Sequence, residues 1–110
     1  MLSDNTSYTI SASDGINLFI RNHSVKNSNK VILLIHGLGE HSGRYLNLIQ
    51  DFNNKNISVF TIDIRGHGKS EGKRGHSPFY EQLMSDIRYF IEHVTNKTSN
   101  QKYFLYGHSM

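Results

Sequence analysis

The 110-residue chain contains no cysteine, no tryptophan and a single proline. The missing cysteines exclude disulfide scaffolds, thiol nucleophiles and zinc or iron–sulfur sites built on sulfur, so stability must come from packing. No apolar run is longer than residues 31–35, far short of the roughly 20 residues of a membrane helix. The first ten residues, MLSDNTSYTI, carry an acid where an export signal is basic, and no apolar segment follows. A cytoplasmic location is therefore the default expectation. Charge of one sign is also thin on the ground: 12 basic and 9 acidic residues give a net +3 with no block of like charges. Nucleic-acid binding usually needs basic residues clustered on one face, so no nucleic-acid partner is expected. What is present, 36% hydrophobic and 11% aromatic residues, is the composition of a folding chain. Its length suits one domain that buries roughly 65% of its unfolded surface.

Apolar periodicity alternates between strand and helix along the chain. Residues 8–11 and 16–21 (INLFIR) read as two strands around a turn at Ser13, Asp14 and Gly15, and residues 24–29 as a polar loop. Residues 30–36 (KVILLIH) form a nearly continuous apolar run, the pattern of a strand buried on both faces. From 43 to 54, Tyr45, Leu46, Ile49 and Phe52 fall at helical spacing, and asparagines end the segment. Residues 57–62 (ISVFTI) read as a second buried strand, followed by a glycine-rich loop over 63–76. A second helix should open near Ser77 and Pro78, with an apolar face of Leu83, Ile87, Phe90, Ile91 and Val94. Residues 102–106 (KYFLY) read as a third buried strand. The order ββ, then βαβαβ, predicts an α/β layered sheet with right-handed crossovers.

Ligands of open α/β sheets gather at the carboxyl ends of the strands. Three glycine-bearing loops fall there: residues 36–41 (HGLGEH), 63–70 (DIRGHGKS) and 107–110 (GHSM). The last matches four positions of the nucleophile elbow Gly-x-Ser-x-Gly, which presents a serine on a strained strand-to-helix turn. A tetrapeptide of this kind occurs easily by chance. The HG-x-G segment roughly 70 residues upstream supplies the context, because the loop after that strand must provide the second oxyanion donor. Two other patterns fail. Gly68-Lys69-Ser70 ends like a phosphate loop, but the first glycine would fall on Asp63. Among the seven histidines, the His36/His41 and His67/His76 spacings match no zinc motif, so neither metal nor cofactor is expected. His93, late in the second helix, stands where a cation suits the helix dipole.

Together HGLGEHSGRY (36–45), DIRGHGKSEGKR (63–74) and YGHSM (106–110) resemble the monoacylglycerol lipase and lysophospholipase group of α/β-hydrolases, which includes serine aminopeptidase S33-like enzymes. The resemblance runs from about residue 10 to residue 110. It implies Ser109 as nucleophile, with the backbone N–H groups of Leu38 and Met110 as the oxyanion hole. Glu40 and Arg44 would lie near the alcohol end of the substrate. His36, Gly37, Gly39, Asp63, Arg65, Gly66 and Gly107 would be structural members of the loops, with Asp63, Arg65 and Gly66 bracing the floor of the site. Implied substrates are monoacylglycerols, lysophospholipids or small esters, and peripheral contact with a membrane surface fits them.

The resemblance also implies what these residues do not supply. In this fold the triad runs Ser, then Asp or Glu, then His along the chain, so acid and histidine should both follow residue 110. Without a histidine to accept its proton, a serine hydroxyl is a poor nucleophile. The expectation is one incomplete domain over residues 1–110, the N-terminal half of an α/β-hydrolase, with little activity alone. Five strands in the order 1-2-4-3-5 would leave residues 102–106 as an unpaired apolar edge. Such an edge favours aggregation or pairing with another chain, such as a complementing C-terminal half. The non-enzymatic alternative is an inactive remnant or half-domain that works only through that edge.

Overall fold

The computed structural model describes residues 3–37, 42–74, 80–98 and 101–107. Five strands, β1 (Ser3–Ser11), β2 (Asn17–Val25), β3 (Lys30–Ile35), β4 (Ser58–Ile62) and β5 (Lys102–Gly107), form one sheet in the order β1-β2-β4-β3-β5. β1 pairs antiparallel with β2, and β2 antiparallel with β4, while β4 and β5 flank β3 in parallel. Two helices complete the fold: α1 (Leu46–Asn54), entered through a 3-10 turn at Ser42–Tyr45, and α2 (Tyr80–Lys97). Residues 75–79, where the sequence places the start of the second helix, lie outside the described residues.

The side-chain period of two sorts the central strands onto two faces. Val31, Leu33 and Ile35 of β3 join Phe60 and Ile62 of β4, Leu18 and Ile20 of β2, and Ile87, Phe90 and Val94 of α2 in the larger core. Ile32 and Leu34 turn to the other face, where Val59 and Ile49 of α1 meet them. One helix on each face explains why KVILLI and SVFTI carry no polar alternation: neither side of these strands reaches water.

The ends of the elements follow from short-range chemistry. The β1–β2 turn closes with Ala12 N–H donating to Ile16 O at 2.8 Å and Gly15 N–H to Ala12 O at 2.9 Å. The chain leaves α1 through Asn56, whose φ of 64° is a left-handed conformation that asparagine tolerates. There Ile57 N–H donates to Phe52 O and Asn56 N–H to Asn53 O, satisfying carbonyls the helix leaves over. The Asn53 side chain then donates to Ile57 O at 2.9 Å and to His23 O at 3.0 Å, tying the helix end to β2.

Two sequence expectations are corrected. Residues 102–106 form a strand at the sheet's edge, as the resemblance implies, and it is exposed rather than buried as the periodicity suggests: Phe104, Leu105 and Tyr106 are 51, 60 and 38% exposed. His93 is not placed as a helix-end cation. Its Nε2 lies 2.6 Å from the Tyr8 hydroxyl, and burial, then Lys97, pushes its pKa below the usual histidine value.

Candidate active site

The parallel register brings the ends of three strands level, since Ile35 of β3 stands opposite both Ile62 of β4 and Gly107 of β5. The residues that follow or end them, His36 and Gly37, Asp63 and Ile64, and Gly107, therefore share one edge of the sheet. This is the edge at which a parallel α/β sheet binds its ligands. Leu38, Gly39, Glu40, His108, Ser109 and Met110 lie outside the described residues, as does the side chain of Arg44.

His36 is fully buried directly after β3. Ile64 N–H donates to its Nε2 at 2.8 Å, and its Nδ1 lies 2.7 Å from Gly37 O. The contact crosses from the loop after β3 to the loop after β4. The neighbouring His67 ring sits 5.7 Å away centroid to centroid, with its Nδ1 3.1 Å from Arg65 O.

The loop over 63–74 is held at every turn. Asp63 accepts a hydrogen bond from Lys69 N–H at 2.9 Å. Ser70, which the sequence offers only in the failed phosphate-loop pattern, donates its hydroxyl to Asp63 O at 2.5 Å and accepts from Phe19 N–H at 2.7 Å. Gly66 has a φ of +79°, a backbone that residues with a Cβ rarely adopt. Gly72 packs so close that a Cβ there would meet the Arg65 side chain and Gly66 N at 2.8 Å. Arg74 closes the loop by donating to the carbonyls of Ser70 and Gly68.

Arg65 is the loop's anchor. It donates two hydrogen bonds to Asp86 of α2, at 2.9 and 3.0 Å, and two to Asp14 of the β1–β2 turn, at 2.6 and 3.1 Å. Gln82 adds a donor to Asp14. The paired forks, Asp86 first, raise the Arg65 pKa still further, and Arg65 lowers that of Asp14. Arg65 thus has partners, 21 and 51 residues away in sequence, that no local pattern announces.

These engagements also limit what the described groups can do. Asp86 is committed to Arg65, and His93 to Tyr8. Among the described residues no group of three or more His, Cys, Asp or Glu side chains could hold a metal. A polar cleft of about 320 Å³ between α1 and β2, lined by His23, Gln50 and Asn53, contains none of the predicted site residues. No described helix is long and apolar enough to cross a membrane.

The fold is that of the α/β-hydrolases. A lipase in its open form superimposes with a TM-score of 0.83 over 96% of this chain and 36% of its own, at 22% identity. A thermostable carboxyl esterase from Bacillus coagulans, bound to glycerol, gives 0.80 over 94% of this chain and 36% of its own, at 25% identity. Within that class, the sequence pattern described as serine aminopeptidase, S33, matches residues 26–110, and the chain belongs to this family. It is similar to the human monoglyceride lipase, 34% identical over 98 residues, which cover 88% of this chain and 32% of that protein. A monoacylglycerol lipase of Mycolicibacterium smegmatis is 36% identical over 80 residues, 73% of this chain and 29% of the relative. An uncharacterised abhydrolase domain-containing protein of Dictyostelium discoideum is 45% identical over 78 residues, 71% of this chain and 8% of its own length. The chain thus spans about a third or less of these curated relatives.

Proposed function

We propose that this chain carries the nucleophile and oxyanion-hole part of a serine hydrolase acting on carboxylic esters of monoacylglycerol or lysophospholipid type. The observation that carries the reading is the convergence of HG after β3, DIRG after β4 and Gly107 at the end of β5 on one edge of the sheet, Gly107 being the residue at which GHSM begins in the sequence. The similarity to monoacylglycerol lipases supports a lipid ester as substrate.

In this reading the Ser109 Oγ attacks the ester carbonyl as its proton passes to a histidine. The N–H groups of Leu38 and Met110 receive the oxyanion, and Glu40 and Arg44 face the departing alcohol. Collapse breaks the ester C–O bond, and the alcohol leaves with the proton. Water then cleaves the acyl-serine to release the carboxylic acid and restore Ser109. The catalytic acid and histidine come from outside residues 1–110, and the segment that brings them also covers β5. Committed as they are, Asp86 and His93 do not replace them. No metal or cofactor enters the reaction, and the product acid and alcohol separate without redox chemistry.

The exposed apolar edge of β5 supports the second reading, a half-domain that serves only to pair with another chain. Hydrolysis of monoacylglycerol and lysophospholipid by the native protein that carries these residues separates the two. Turnover abolished by Ser109→Ala is expected for the hydrolase. A protein that turns over neither ester leaves the half-domain reading.

A further inference from the structure

β1 lies at the opposite edge of the sheet from β5, and the side it leaves open follows from the bonds of its neighbour β2. Asn17 N–H donates to Glu71 Oε1 at 2.8 Å, and Asn17 O accepts from Glu71 N–H at 2.9 Å. Phe19 N–H donates to Ser70 Oγ, Phe19 O accepts from Asp63 N–H, and Val25 N–H donates to Ser58 Oγ. All these groups point away from β1. In an antiparallel ladder such positions alternate with bonded ones, and the residue opposite each also turns its backbone groups away. Asn17, Phe19 and Val25 stand opposite Ser11, Thr9 and Ser3. Hence Ser3, Asn5, Ser7, Thr9 and Ser11 turn N–H and C=O outward, where β1 has no strand partner among the described residues.

Edge strands are commonly guarded by lysine, proline or a bulge. β1, SDNTSYTIS, has no lysine, arginine or proline, and its nine consecutive pairs with β2 leave no bulge. The exposed side chains of Asn5, Ser7, Thr9 and Ser11 share one face of the strand, all of them small and polar. On the other face a groove of about 240 Å³ beside Ile10 is lined by Tyr89, Glu92, His93 and Asn96 of α2. An added strand would bond to β1 and rest alternate side chains in that groove.

We propose that the strand added is β1 of a second copy, running antiparallel about a two-fold axis at Ser7. The strand is self-complementary in this register. Ser7 meets Ser7, Asn5 meets Thr9 and Ser3 meets Ser11, hydroxyl and amide pairs that suit neighbouring strands. Asp4, the one charged residue of β1, falls opposite Ile10 rather than opposite itself. Thr6 of each copy comes opposite Tyr8 of the other, on the side of the α2 groove. The contact is smaller than the roughly 1,600 Å² of a standard complex, so the dissociation constant should be about 1–100 μM.

Sedimentation velocity of the native protein that carries this chain, at up to about 300 μM, tests the pairing. Wild type should dimerise within this range. Ser7→Pro removes an outward N–H while sparing the bonds between β1 and β2, and it should weaken the dimer at least about 10-fold. Ser7→Lys and Ser7→Glu each set like charges against one another on the axis. Either variant alone should stay monomeric, and an equal mixture should regain the dimer. A partner strand of any other sequence does not bring two residues 7 together, so the rescue is specific to self-pairing. A wild type that is monomeric throughout, a dimer that survives Ser7→Pro or a mixture that stays monomeric would overturn the proposal. If Ser7→Pro disrupts the fold, as read by its urea midpoint, the charge exchange at this exposed position decides alone.

Discussion

β4 and β5 are both short, apolar strands paired in parallel with β3, one on each side, and they end in opposite environments. Every residue of β4 is buried, whereas Phe104, Leu105 and Tyr106 of β5 stand open to solvent. The sequences SVFTI and KYFLYG do not dictate this difference; the neighbours do. β4 has β2 on its far side and helices over both faces, while β5 has no strand partner on its outer side among the described residues. Beside it a groove of about 630 Å³ runs between α2 and β5, lined by Met84, Ile87, Ile91 and Leu105. An apolar strand at a sheet's edge keeps its outer backbone and side chains open to pairing, which a central strand such as β4 does not.

Removing side chains should expose the contrast most strongly. Phe60→Ala in β4 should cost about 3–5 kcal/mol in urea unfolding, because its ring is enclosed on every side. Phe104→Ser in β5 should cost less than about 0.5 kcal/mol and reduce self-association at high concentration, as read by light scattering. Equal costs at the two positions would mean that β5 is packed after all.

The next largest effect belongs to the clamp that steadies the β4 side of the site. Arg65→Met should cost about 3 kcal/mol, since it strands Asp86, whose side chain is only 5% exposed, as an unpaired buried charge. Asp14→Asn should cost clearly less, because that end of the clamp reaches solvent. Unfolding curves of the two variants check the ranking.

Acidity should act in two smaller steps. Burial lowers the pKa of His93 and His23, with Lys97 and Arg21 adding to it, so the unfolded chain takes up those protons first. Stability is therefore full above the ordinary histidine value of about 6.5 and falls as pH drops through the lowered folded values. Arg65 likewise lowers Asp14, whose contribution is present above the ordinary carboxylate range and lost as pH falls through its folded value. Urea midpoints measured from about pH 8 down to pH 3 should hold level to about pH 6.5 and fall below it, and His93→Gln should flatten the upper step. A midpoint that rises on acidification would reverse the sign of this account.

Much of this architecture is legible in the sequence because it rests on local patterns. KVILLI must be buried on both faces, DIRGHGKSEG must turn, and asparagine suits the left-handed end of α1. The strand order and the site residues came through resemblance rather than periodicity. Periodicity alone made residues 102–106 a buried strand, because it cannot count a strand's neighbours. The Arg65 clamp, the Ser70 bridge, the Asn53 tie and the Tyr8–His93 bond join residues 21 to 85 positions apart, where no spacing rule reaches.

The central claim is that the three strand ends assemble a reactive serine. Treating the native protein that carries this chain with a fluorophosphonate and mapping the adduct by peptide mass spectrometry tests it directly. The account predicts one adduct within this chain, on Ser109, absent from Ser109→Ala. An unmodified Ser109 in folded native protein would contradict it.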